Sequence, residues 1–187
     1  NDFVIMVSKD RSWDSVIEKV YGDKAHRTTR YAIKKEPGIF DGVKLQEVVD
    51  NMDSKYELKI IGKDIYEAAQ NGDWSEYLCG YFLNYSTYED FEKRGLGVVA
   101  VAKDSHEVVA GVSSYSVYNG GIEIEIDTKM EYRRKGLAYA CAAKIILECI
   151  NRGLYPSWDA QNKWSVALSE KLGYHFEEEY PVYEVYP

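Results

Sequence analysis

The run Ile122-Glu123-Ile124-Glu125-Ile126 alternates apolar and acidic residues without a break. A period of two predicts a strand over 122–128, with Ile122, Ile124 and Ile126 on one face and Glu123, Glu125 and Asp127 on the other. The segment 137–150 is apolar almost all round, and its charged exceptions Lys144 and Glu148, followed by Arg152, recur every four residues. That pattern predicts a helix packed on a sheet with a single solvent stripe. Between 56 and 118 the pattern predicts strands at 56–62, 96–103 and 107–118, and helices at 63–70, 74–83 and 87–93, the last closed by Gly95. Asp104-Ser105-His106 forms a polar link, and Asn119-Gly120-Gly121 supplies residues that tolerate positive φ, so it predicts a hairpin into the acidic strand. Beyond 150 come a short strand at 154–158, a helix at 162–172 stopped by Gly173, and two strands at 174–178 and 182–186 around Pro181.

The first residues read differently. A strand-like run at 3–7, a helix at 13–21, an extended run at 28–34 and a helix at 41–51, with Glu36-Pro37-Gly38 breaking the pattern, predict an accessory α/β region over 1–55 ahead of a main domain over 56–187.

A net charge of −8 and a pI of about 5.0 argue against nucleic acid as a partner, since binders of a phosphate backbone concentrate positive charge. A cationic small molecule or peptide suits this field. No segment reaches the roughly 18 consecutive apolar residues that span a bilayer, and the opening Asn1-Asp2-Phe3-Val4 lacks the layout of a signal peptide, so no membrane partner is expected. Cys79, Cys141 and Cys149 show neither disulfide arithmetic nor C-x-x-C spacing, which points to a reducing cytoplasm. His26, His106 and His175 lack metal-ligand spacing, so no metal is expected.

Between the acidic strand and the apolar helix lies Arg133-Arg134-Lys135-Gly136-Leu137-Ala138. The first N–H groups of a helix lack intrahelical partners and the macrodipole is positive there, so main chain can hold a pyrophosphate. Gly136 lets the backbone come close, and small Ala138 leaves room beside it.

Downstream, Asn162-Lys163-Trp164-Ser165-Val166-Ala167-Leu168-Ser169-Glu170-Lys171-Leu172-Gly173-Tyr174 supplies a second motif in the same order. With these two motifs the chain resembles the GNAT (GCN5-related N-acetyltransferase) superfamily, whose pattern is strand, R/Q-x-x-G-x-G/A turn, helix, short strand, then N-x-x-[SA]-x-x-L-x-x-K-L-G-[FY]. The wording resembles a bacterial branch with an N-terminal extension, closely from residue 56 onward and more loosely before it. The resemblance implies a mixed α/β (α+β) fold, a mostly antiparallel twisted sheet flanked by helices, that uses acetyl-CoA as co-substrate. It implies that main-chain groups of Ile126 and Thr128, with Asp127 between them, meet the pantetheine arm, and that the turn from Arg133 through Arg134, Lys135, Gly136 and Leu137 to Ala138 holds the pyrophosphate. Asn162 either bonds the pantetheine or caps the following helix, and the two roles are compatible.

The implied reaction is direct attack of an amine, on a small molecule or a protein, upon the thioester. An amine of pKa near 10.4 costs about 4 to 5 kcal/mol to deprotonate at pH 7, so a base is required. In the superfamily this strand often supplies a glutamate and usually carries a bulge that reverses its facing; Glu125 is favoured over Glu123. Many relatives place a tyrosine at Ser169 to protonate the departing thiolate, and serine is too weak an acid for that. Ser165, Tyr174 or a bound water then serves, or the thiolate leaves unaided. Asp159 is a candidate for orienting a cationic acceptor, with entry to the next helix as its alternative. A non-catalytic acyl-CoA-binding module on the same scaffold is the competing reading.

Overall fold

The computed structural model describes residues 3–8, 10–70 and 84–186. These residues form a mixed α/β fold with two sheets and six α-helices, divided into two compact units.

The first unit gathers Asn1–Lys34, Asp159–Glu170 and His175–Pro187. Its strands are β1 (Val4–Met6), β2 (Ala25–Ile33), β8 (Asp159–Ala160) and β9 (Phe176–Val185), arranged β1-β9-β2-β8 with every neighbour antiparallel. Helix α1 (Asp14–Tyr21) buries Ile17 with Tyr183 and Val185, and Met6 and Ala25 pack around them. Helix α6 (Lys163–Lys171) follows β8 in the chain.

One sequence expectation is corrected by the strand pairing. The closing strands predicted at 174–178 and 182–186 are one strand, β9. Pairing with β1 ends at Met6↔Tyr183, so among the described residues Pro181 meets only β2, through Thr29, and its missing N–H falls where no described strand pairs on the other side. β9 pairs along β2 from Ala25↔Val185 to Ile33↔Phe176, which ties the chain's first segments to its last.

The second unit comprises Lys35–Trp158 and Lys171–Tyr174. Its five-stranded sheet runs β3 (Tyr56–Ile60), β4 (Gly97–Ala102), β5 (Val108–Tyr118), β6 (Gly121–Thr128) and β7 (Tyr155–Ser157) in that order, antiparallel except for the β6–β7 pair. Helices α2 (Gly42–Asp50), α3 (Lys63–Gln70), α4 (Tyr88–Arg94) and α5 (Leu137–Arg152) belong to it; the helix predicted at 74–83 lies outside the described residues.

Helix α5 buries Ala140, Cys141, Ala142, Ala143, Ile145, Ile146 and Cys149, while Lys144 and Glu148 pair at 2.8 Å on the expected solvent stripe. Cys141 meets the backbone of Ala100 on β4, so one face of the sheet belongs to α5. On the other face Val99 and Val101 pack with Ile61, Tyr66, Tyr85 and Phe91.

The predicted hairpin forms with Tyr118 opposite Gly121 and Gly120 at φ +85°. A side chain at Gly121 would collide with the Tyr118 hydroxyl and the Tyr155 carbonyl, so close approach rather than conformation fixes glycine there.

Candidate acetyl-CoA site

The basic turn is entered through a well-tethered segment. The Tyr132 amide donates to the Lys129 carbonyl (2.9 Å), Lys129 pairs with Glu107, and the Tyr132 hydroxyl donates to Glu107 (3.3 Å). The Lys135 ammonium lies 4.6 Å from the centre of the Tyr132 ring. Beyond this anchor, Arg133, Arg134, Lys135 and Gly136 are exposed, whereas Leu137 is buried and fixes the start of α5.

Two left-handed residues shape the turn. Arg134 has φ +61° and Gly136 φ +79°, and the Gly136 carbonyl accepts the first helical bond from the Ala140 amide at 3.0 Å. Among the described residues no side chain caps α5, so the first N–H groups of a sixteen-residue helix keep their positive end without a protein anion from them. An ideal Cβ on Gly136 would meet nothing within 4 Å, so the approach is open and glycine is selected by φ. Exposed cationic side chains, uncapped amides and an open approach fit a pyrophosphate.

The neighbouring strand offers a second feature. Strand β7 pairs with β6 only through Gly121↔Tyr155, Ile122↔Pro156 and Glu123↔Ser157. The next strand residues, Asp159 and Ala160, pair instead with Ala32 and Tyr31 of β2. Among the described residues no strand therefore pairs with β6 from Ile126 to Thr128 on the side away from β5. Arg133 Nε donates to the Thr128 carbonyl at 3.2 Å, tying the turn to the end of this strand.

The carboxylates follow the period-two reading. The bulge expected on β6 lies on its neighbour: the register slips between Ser114 and Ser116, where Tyr115 is the extra residue of β5. β6 thus keeps its alternation, burying Ile122 and Ile124, while Glu123, Glu125 and Asp127 are half-buried. Directly opposed residues in adjacent antiparallel strands share a face. The row Val99–Gly111–Asp127 therefore sets Asp127 on the face of Val99, and the row Gly97–Ser113–Glu125 sets Glu125 beside it. Burial pushes the Asp127 carboxyl above its usual range, opposed by a hydrogen bond from the Thr128 backbone and by Arg133.

The remaining candidates are engaged. Asn162 Oδ1 accepts from the Ser165 amide at 3.0 Å and the Asn162 carbonyl accepts from Val166 at 3.1 Å, so Asn162 is a helix cap. Ser169 is fully buried and donates to the Val166 carbonyl at 2.8 Å. The Tyr174 hydroxyl donates to the Pro156 carbonyl (2.7 Å), its ring packs against Phe40 and Trp158, and burial raises its pKa well above the ordinary value. Such a buried, bonded phenol braces the sheet rather than meeting a leaving group.

Asp159 is likewise spoken for. Arg30 Nε donates to one carboxylate oxygen, the Tyr180 hydroxyl donates to the other, and Arg30 Nη2 reaches the Asp159 carbonyl at 3.3 Å. Its partners lie on β2 and β9, far away in sequence, which no local pattern discloses. The buried thiols of Cys141 and Cys149 are both pushed up to about 12 by desolvation and are inert at neutral pH.

Sheet, turn and uncapped helix together have the arrangement of the GNAT fold. The model of the GNAT acetyltransferase family matches residues 1–183, and the chain belongs to that family. The match begins at residue 1, so the first segments are family sequence too. A GCN5-related N-acetyltransferase-like protein from Streptococcus suis 89/1591 has a similar crystal structure, with 46% identity and a TM-score of 0.87 over 97% of this chain and 71% of that one. An uncharacterized N-acetyltransferase, YdfB of Bacillus subtilis (strain 168), is 32% identical over 184 residues, which is 97% of this chain and 65% of that protein. The chain thus spans about two thirds of that relative's length. A GCN5-related N-acetyltransferase from Kribbella flavida, at 18% identity and a TM-score of 0.54 over 86% of this chain and 60% of that one, shares the fold. Among the described residues no cluster of His, Cys, Asp or Glu could hold a metal ion, and no helix is long and apolar enough to cross a membrane.

Proposed function

We propose that the protein transfers the acetyl group of acetyl-CoA to an amine by direct attack. The observation that carries this reading is the uncapped N-terminus of α5 behind Gly136, which follows a strand whose outer side, among the described residues, carries no paired strand from Ile126 to Thr128. In this reading the amides from Arg134 to Ala138 hold the pyrophosphate and the main chain of Ile126 to Thr128 meets the pantetheine arm, while Asn162 Oδ1 caps α6. Acetyl-CoA, when bound, supplies the activated acetyl group.

Glu125 takes the proton of the acceptor ammonium, with Glu123 as the alternative base two residues earlier on the same face. The acidic face attracts a cationic acceptor, whether a small amine or a protein amine. Because Ser169 and Tyr174 already donate within the fold, a bound water protonates the departing thiolate or the thiolate leaves unaided. Those same two bonds favour a second reading, a GNAT module that binds acyl-CoA without turnover.

Acetyl transfer to a panel of amines separates the two. Glu125→Gln is expected to lower the rate at neutral pH roughly 10²- to 10⁴-fold, with little change in acetyl-CoA affinity and partial recovery at higher pH, where more amine is already neutral. If Glu123→Gln shows that loss instead, the base is the earlier glutamate; binding without turnover in the wild type establishes the second reading.

A further inference from the structure

Four buried residues of the described chain are polar: Ser113, Ser114, Ser157 and Ser169. Three of their hydroxyls are engaged. Ser114 Oγ lies 2.7 Å from the Tyr85 hydroxyl and accepts from the Leu96 amide at 3.0 Å, Ser157 bonds the Tyr118 hydroxyl, and Ser169 donates to Val166. Ser113 Oγ has no hydrogen-bond partner, and among the described residues it is the one buried side-chain polar atom in that state. An unsatisfied buried hydroxyl is costly, so a native fold that keeps one usually gives it a task.

Its surroundings say which. On one side the cross-strand partner of Ser113 is Gly97, and the space a Cβ would take there is filled by the end of the buried Ile61 side chain. That flank is apolar. On the other side the partner is Glu125, whose side chain shares the face of Ser113. Within the row, the polar neighbour toward which the hydroxyl can turn is the carboxylate assigned as base.

We propose that Ser113 is a positioning residue that holds a water between its hydroxyl and the Glu125 carboxylate, and that this water relays the acceptor's proton. The inference rests on the acetyltransferase reading above. The acceptor ammonium gives one proton to the water, the water gives one of its own to Glu125, and the serine keeps its hydrogen. A neutral amine and a protonated Glu125 result. A polar cleft roomy enough for one water, with two or more polar partners, is the usual home of a buried water.

The test compares wild type, Ser113→Ala, Ser113→Cys, Glu125→Gln and the double variant Ser113→Ala/Glu125→Gln, reading kcat, acetyl-CoA affinity by calorimetry and melting temperature. Ser113→Ala is expected to lower kcat about ten- to a hundredfold, the size of one hydrogen bond to a charged group, with unchanged affinity and no fall in melting temperature. Ser113→Cys, a weaker donor of similar size, falls between, and stands in for the alanine variant should that one not fold. In the Glu125→Gln background the alanine exchange adds no further loss, because the relay has lost its terminus. A kcat of Ser113→Ala or Ser113→Cys within about twofold of wild type overturns the relay, as do additive losses in the double variant or a Glu125→Gln protein of full activity. Absence of transfer by the wild type overturns the acetyltransferase reading itself, a different result from a wild type that turns over and is indifferent to residue 113.

Discussion

At the scale of single residues, the acidic face of β6 is not a uniformly solvated stripe. Asp127 sits opposite Gly111 and is half-buried, and desolvation raises its carboxyl pKa despite Arg133 and the Thr128 backbone. The sign has a consequence for stability. A carboxyl raised in the folded state binds its proton more tightly there than in the unfolded chain, so its contribution is unfavourable above both pKa values and fades in acid. Asp127→Asn is therefore expected to melt higher than wild type near pH 7, with the gap closing as pH falls from the raised folded value toward the ordinary aspartate value of 3.8 and absent below it. A variant that melts lower at pH 7 would mean that the charged form is held by partners stronger than its burial.

At the scale of elements, periodicity disclosed what is local, and pairing decided the rest. The alternation of Ile122 to Ile126 gave the strand and its buried face, and the Lys144, Glu148 stripe gave the outer side of α5. What escaped depends on partners far along the chain. Pro181 looks like a break until β1 is seen to stop at Tyr183, and the bulge belongs to β5 because the extra residue, Tyr115, can only be recognised against β6. Asp159 is the clearest case: beside Trp158 it reads as a site residue, yet Arg30 and Tyr180 clasp it across β2, β8 and β9. With side-chain exposures of 16% for Arg30 and 29% for Asp159, the pair is largely out of water. Asp159→Ala leaves a guanidinium and a phenol without their acceptor, so urea denaturation should report a loss of about 1–3 kcal/mol. Full stability together with a raised acceptor KM would return Asp159 to acceptor binding.

At the scale of the whole molecule, the order strand, basic turn, apolar helix, short strand and second helix was legible because it is sequential, and with it the family. The way the chain is shared between two units was not, because β9 returns to pair with β2 from the other end of the sequence. The candidate site divides the same way. The turn from Arg133 to Ala138 is local, a run of cations and a left-handed glycine ahead of a helix, and so could be read directly. The engagement of Ser169, Tyr174 and Asn162 by the fold, and the unpaired hydroxyl of Ser113, depend on packing that no short pattern encodes. Acetyl-CoA binding as proposed depends on main chain behind Gly136 holding the pyrophosphate. Calorimetric titration of wild type, Arg134→Ala and Gly136→Pro with acetyl-CoA tests it most directly, with circular dichroism to confirm that each variant is folded. The account predicts binding to wild type, modest weakening in Arg134→Ala, and no measurable binding in Gly136→Pro, where an N–H is lost and φ can no longer be positive. A folded Gly136→Pro protein that binds acetyl-CoA as tightly as wild type would contradict it.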